Sequence, residues 1–153
     1  MASKNTKGTR PRFTAKRSPS MDLRLCIEKR LAASESSWAS FADRATGESR
    51  GERTERGAAL WLERRGDLVF ASRFQTPFAE VDILALSLRG SILLCEVKSS
   101  FWPDDRALGL GFRQKLRLTR AALWIHETCG RDVEILLLGP STRSGHFLEL
   151  PIF

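Results

Sequence analysis

The triplet Glu96-Val97-Lys98 closes the apolar run Ser91-Ile92-Leu93-Leu94-Cys95, and no other feature constrains the chain as much. Side chains alternate faces along a strand, so Glu96 and Lys98 project together while Val97 enters the opposite layer. Upstream, Asp82 interrupts a second apolar run from Val81 to Leu88, and Arg89-Gly90 between the runs reads as the turn of an antiparallel hairpin. A two-residue loop at Arg89-Gly90 would set Asp82 against Val97, on the wrong face. A three-residue loop, Leu88-Arg89-Gly90, pairs Ser87 with Ser91, Leu84 with Leu94 and Asp82 with Glu96, and leaves Gly90 free to become left-handed. That loop, or an equivalent bulge, is the expected one. Two carboxylates side by side are costly to bury without a cation, so the hairpin calls for a divalent metal, a neighbouring lysine, or both.

Two helical patterns flank this hairpin. In Arg53 to Arg65, the residues Glu55, Ala58, Ala59 and Leu62 recur at the spacing of one helix face, which puts Glu55 on the apolar stripe. In Phe112 to Cys129, the stripe Leu118, Ala122, Ile125 and Cys129 runs back to Lys115 in the first turn. Taken singly, a charged residue at the end of an apolar stripe snorkels to solvent or pairs locally. The coarse map is helix Glu52 to Arg65, strand Asp67 to Arg73, strands Val81 to Leu88 and Ser91 to Ser99, helix Gly111 to Thr128 and strand Asp132 to Leu138. A short final strand is expected in His146 to Ile152, after a break at Gly139-Pro140. The result is an α/β fold in which the strand after the long helix pairs parallel to a central strand.

These residues, in this order, resemble the YraN-like family of small bacterial proteins within the PD-(D/E)xK nuclease superfamily. Glu55, Ala58, Trp61 and Leu62 match its first helix, with Gly66 as terminator. Ala79-Glu80-Val81-Asp82 matches its Gly-Glu-hydrophobic-Asp motif, and Leu93 to Lys98 matches its hydrophobic run ending in Glu-Val-Lys. The matching second helix opens at Gln114-Lys115 and continues through Leu118, Ala121 and Ala122 to Trp124, followed by the strand Asp132 to Leu136. The likeness covers Gly51 to Gly139. Thr54 and Ala79 stand where the family has glycines, and Ser99, Ser100 and Phe101 follow Lys98 without the family's usual basic residue.

The resemblance implies a restriction-endonuclease-like αβββαβ core with a central mixed sheet flanked by helices. It also implies a Mg²⁺- or Mn²⁺-dependent endonuclease hydrolysing DNA rather than RNA, with structure-specific cutting of branched or flapped DNA as one form. Asp82 and Glu96 would hold the metal, with Glu55 as an outer or additional ligand, and Lys98 would orient the attacking water and stabilise the phosphate. Gln114 and Lys115 would contact the scissile phosphate, and Glu80 is the weakest candidate, a neighbour of the ligands at most. The alternative is the same fold as a non-catalytic nucleic-acid-binding or protein-interaction module. Whether two chains pair as a homodimer to cut two strands is left open, and the want of a long recognition helix or reading loop argues against sequence-specific cutting.

At 153 residues and 42% hydrophobic content the chain suffices for one core. Of its formal charge of +7, residues 1–20 supply +6 through Lys4, Lys7, Arg10, Arg12, Lys16 and Arg17 with no acid, leaving the body close to neutral. That segment is expected to be a disordered basic tail, either raising nucleic-acid affinity through phosphate contacts or serving as a leader ahead of a true start at Met21. Residues 21–50 read as a helix, with Leu23, Ile27 and Leu31 at helical spacing, followed by a polar linker, and residues 51–153 as a single nuclease-like domain. No stretch has the length of a membrane span and the basic start has no hydrophobic signal segment, so a cytoplasmic protein with no membrane partner is expected. Cys26, Cys95 and Cys129 are far apart with no Cys-x-x-Cys spacing, which argues against a zinc site or a disulfide framework. His126 and His146 read as structural. Gly109-Leu110-Gly111 lacks the ending of a phosphate loop and reads, with Trp102, Asp104, Asp105 and Arg106, as a loop on the substrate side.

Overall fold

The computed structural model describes residues 19–32, 49–100, 110–141, 143 and 145–152. Residues 1–18 of the basic tail, residues 34–48 of the stretch expected as a linker and residues 102–109 of the loop expected on the substrate side lie outside the described residues. The elements are α1 (Pro19–Ala32), α2 (Arg50–Arg65), β1 (Leu68–Gln75), β2 (Glu80–Leu86), β3 (Ile92–Val97), α3 (Phe112–Cys129), β4 (Val133–Pro140) and β5 (Phe147–Pro151). The strands form one sheet in the order β1-β2-β3-β4-β5, antiparallel throughout except for the parallel pair β3–β4. The expected α/β architecture, a mixed sheet with helices on its faces, is therefore present, with α1 added at the start and β5 at the end.

β3 sits at the centre, and this explains its composition. Ile92, Leu93, Leu94 and Cys95 are all buried, because both sides of the strand are covered. Ile92 and Leu94 join a core with Leu84, Leu118, Ala121 and Ile125, under α1 and α3. Leu93 and Cys95 join a second core with Val69, Ile83, Ala58, Ala59 and Leu62, under α2. α2 begins at Arg50, two residues before the expected Glu52, because Ser49 caps it: Ser49 Oγ accepts from the Glu52 amide and the Glu52 carboxylate accepts from the Ser49 amide. It stops at Gly66, left-handed at φ 98°, as expected of the terminator.

The hairpin follows the three-residue loop. Ile83 pairs with Cys95, Leu84 with Leu94, Ala85 with Leu93 and Leu86 with Ile92. The Ser87 amide donates to the Ser91 carbonyl at 2.8 Å, and Gly90 takes φ 86°. The ladder ends one step short of Asp82 and Glu96. At that level the Val97 amide donates to Asp82 Oδ2 at 2.7 Å, so a side chain takes over where a strand carbonyl would have accepted. β4 also runs farther than its expected end, through Gly139-Pro140, and pairs Pro140 with Phe147. A proline at a strand's last residue leaves few ladder bonds to lose.

The first helix belongs to the core. Leu23 is fully buried and Ile27 nearly so, in the same cluster as Leu84, Leu118 and Ile125. The Arg24 guanidinium donates twice to the Thr128 carbonyl, at 2.9 and 2.7 Å, placing a cation against the carbonyl end of α3. Truncating Leu23 removes buried methyls and leaves a cavity, so Leu23→Ala should lower unfolding stability by about 2–4 kcal/mol in urea melts. A change within about 0.5 kcal/mol would show that α1 is not part of the cooperative unit.

Candidate nuclease-like site

Four of the residues singled out from the sequence converge where β2 and β3 part. Glu96 continues the Leu94 side of β3 toward α3 and is only 9% exposed. Its Oε1 accepts from Lys98 Nζ at 2.9 Å and from Gln114 Nε2 at 2.6 Å. The contact with Lys98 is the geometric consequence of the two-residue strand period, and Gln114 arrives from the first turn of α3. Asp82, half-buried on β2, spends Oδ2 on the Val97 amide.

Charge compensation in this cluster is incomplete. The Asp82 carboxyl is pushed up to about 6 from its ordinary 3.8, first by burial and then by the Glu96 and Glu55 carboxylates, against the pull of the Val97 amide and Lys98. Lys98 is committed to Glu96, so one ammonium serves two acids.

The other three candidates stand differently. Glu55, on α2, is near enough to contribute to the Asp82 shift, yet its carboxylate is held by Arg73: Nε reaches Oε2 at 3.0 Å and Nη2 reaches Oε1 at 3.3 Å. Arg73 Nη1 also approaches Glu52 Oε1 at 3.7 Å. Lys115 is half-buried and forms no ion pair among the described residues, although its first-turn position on α3 is the expected one. Glu80 hydrogen-bonds to Gln75 on the exposed end of the sheet, which sets it apart from the cluster. Among the described residues no three His, Cys, Asp or Glu side chains stand close enough together to hold a metal ion.

Arg73 escaped the sequence reading. It lies within β1 with φ 49°, a left-handed backbone that non-glycine residues seldom take, and its side chain forks onto Glu55. Nothing in the pattern of β1 distinguishes it from a solvent-facing arginine, because its partners Glu55 and Glu52 lie on another element. His126 is structural, its Nδ1 lying 2.8 Å from the Arg131 carbonyl.

A five-stranded mixed sheet between helices, with an acid on one strand facing an acid and a lysine on the next, defines a domain of the restriction-endonuclease-like class. The profile of Uncharacterised protein family UPF0102 matches residues 54–136, just over half of the chain. The chain belongs to this family, the YraN-like proteins of the restriction-endonuclease-like superfamily. A UPF0102 protein of Nitrobacter winogradskyi is 34% identical over 100 residues, covering 61% of this chain and 84% of its own length. One from Rhodopseudomonas palustris (strain BisA53) is 33% identical over 100 residues, covering 61% and 76%. One from Sphingopyxis alaskensis is 30% identical over 115 residues, covering 70% and 96%. Among the described residues no helix is long and apolar enough to cross a membrane.

The Asp82 shift has a stability consequence of definite sign. A carboxyl whose folded value lies above its unfolded one destabilises the fold when charged, so this penalty is present above about pH 6 and fades as pH falls toward 4. Asp82→Asn keeps an oxygen for the Val97 amide and removes the charge. In EDTA it should be more stable than wild type by about 1–2 kcal/mol near pH 7.5, allowing for the solvent that still reaches the group, and the gap should close by about pH 4. A gap that does not vary with pH would contradict the electrostatic origin.

Proposed function

We propose that this UPF0102 protein is a metal-dependent nuclease that hydrolyses phosphodiester bonds in DNA. The observation that carries the reading is the buried Glu96 carboxylate bonded to Lys98 Nζ at 2.9 Å beside the under-compensated Asp82. A structural ion pair would balance its charges, whereas here an excess of negative charge is enclosed at the end of a rigid sheet. Perturbed carboxyls of this kind are commoner at functional sites than elsewhere.

The donor set fits Mg²⁺ or Mn²⁺. Carboxylate oxygens are hard ligands, and magnesium is commonly held by one or two carboxylates completed by water and substrate phosphate oxygens. Asp82 and Glu96 would be those two, and Glu55 would contribute if released from Arg73. When bound, such an ion polarises the phosphoryl group and offsets its negative charge.

The chain's own groups supply the rest. Lys98 keeps an ammonium at the mouth of the cluster, 25% exposed in its side chain, where it can meet the non-bridging oxygens of a phosphodiester as their charge grows. Its bond to Glu96 fixes it in direction. The Gln114 amide holds Glu96 Oε1 from the opposite side and so locks the carboxylate rotamer, with its second N–H free in chemistry to donate to a phosphate. Lys115 adds positive charge one residue on, at the positive end of the α3 dipole.

The decisive assay incubates purified wild-type and Glu96→Ala protein with labelled linear, flapped and four-way-junction DNA in Mg²⁺, Mn²⁺ or EDTA. Metal-dependent cutting lost in Glu96→Ala is the expected result, and the preferred substrate identifies the DNA shape. Lys98→Met should reduce the cleavage rate by at least about a hundredfold, the scale of removing one preorganised charge from a phosphoryl transition state. The complete pairing of Glu55 by Arg73 favours the second reading, a nuclease-like fold retained for binding alone. Binding by both proteins without cutting under any metal would establish that reading.

A further inference from the structure

The N-terminal half of α3 carries an arrangement that the nuclease cluster does not use. Arg113, Arg117 and Arg120 recur at helical spacing on one exposed ridge, and none of them forms an ion pair or hydrogen bond among the described residues. With Lys115 they make four cations between Phe112 and Arg120 and no acid. The only acid in the helix is Glu127, near its other end.

This charge order opposes the helix itself. Cations at a helix N-terminus face the positive end of the macrodipole, and like charges at i,i+4 repel. The same end has no side-chain cap, since its N-cap is Gly111. α2 shows the opposite choice, with a complete capping box and Glu52 in its first turn. An exposed face of three arginines with no acid between Phe112 and Arg120 is complementary in charge to an anionic ligand. The ridge begins at the same end of α3 as Gln114, whose amide bonds Glu96, so it lies at the helix end nearest the Asp82–Glu96–Lys98 cluster.

We infer that the Arg113–Arg117–Arg120 ridge is a docking surface for the phosphate backbone of DNA, at the end of α3 that supplies Gln114 to the cluster. The identity of the partner rests on the nuclease reading above. From Arg113 to Arg120 the helix advances about 10 Å, while a DNA strand carries a phosphate every ~3.4 Å of its axis, so the ridge spans a few successive phosphates. Arginine forks suit phosphate oxygens, and contacts to phosphate carry no base information. The ridge therefore grips DNA of any sequence, and selectivity for a particular substrate has to come from DNA shape.

The test is the salt dependence of binding, measured in EDTA so that no cutting intervenes. Full-length wild type is compared by fluorescence anisotropy, on flapped and linear DNA, with R113Q/R117Q/R120Q. A control, R53Q/R64Q/R89Q, removes the same charge from exposed positions elsewhere. The glutamines preserve helix propensity, and circular dichroism melts confirm the fold. Each lost phosphate contact lowers the slope of log K against log salt by about 0.9, so the ridge variant should lose about 2–3 units of slope and at least tenfold in affinity near 0.1 M salt. The control should lose less than one unit. Equal losses in both variants, no loss in the ridge variant, or no DNA binding by wild type would each overturn the inference. An unchanged DNA slope would leave the ridge to an acidic protein partner. A slope loss in a protein that cuts nothing would sustain the ridge and overturn only the nuclease reading.

Discussion

Everything in the candidate site depends on the register of β2 against β3. The side-chain period of a strand is two, so a slip of one residue would turn Asp82 away from Glu96 and put charge into a core. The chain prevents the slip by several agreeing devices. Gly90 supplies the left-handed residue of the three-residue loop, Ser87 and Ser91 close it by backbone bonding, with their hydroxyls 2.7 Å apart, and Leu84 pairs with Leu94 inside a fully buried layer. β4, pairing parallel to β3 from Ile92 to Val97, then holds β3 from its other edge. The carboxylates thus sit at the end of a strand pair whose register is held from both sides.

The candidate site also departs from what stability alone would build. The apolar layers on either side of β3 end where Asp82 and Glu96 begin, and the ladder gives way to a bond between a backbone amide and a carboxylate. A sheet built for stability alone would continue with apolar pairs. Here the excess negative charge is kept in a half-buried setting by a single lysine and a glutamine, and the remaining acid, Glu55, is held aside by an arginine in a strained conformation. α3 adds a further local conflict, a cationic N-terminal half against its own dipole.

Much of this was legible in the sequence because it rests on short-range periodicity. The hairpin and its loop, the companionship of Glu96 and Lys98, the termination of α2 at Gly66 and the position of Gln114 in the first turn of α3 all follow from strand and helix periods and from glycine's freedom at positive φ. Other features were illegible for a definite reason. The start of α2 at Arg50 turned on Ser49, a residue inside a polar stretch whose capping role appears only once Glu52 occupies the third helical position. Arg73 gave no signal because its partner is 18 residues away on another element. The membership of α1 in the core escaped because the family likeness begins after it, although its Leu23 and Ile27 spacing was visible.

The sequence by itself determined the alternation that puts acids and lysine on one face of a hairpin, the two amphipathic helices that cover the sheet and the family to which the chain belongs. These are properties of neighbouring residues, and the chemistry of a few bonds fixes them. Only the tertiary structure decided how charge is shared: that Glu96 takes both Lys98 and Gln114, that Asp82 is left with a backbone amide and a raised pKa, that Glu55 answers to Arg73, and that the α3 arginines stay without a protein partner among the described residues. Electrostatic pairing depends on distances and burial between elements far apart in the chain, and those exist only after the sheet and its helices have packed.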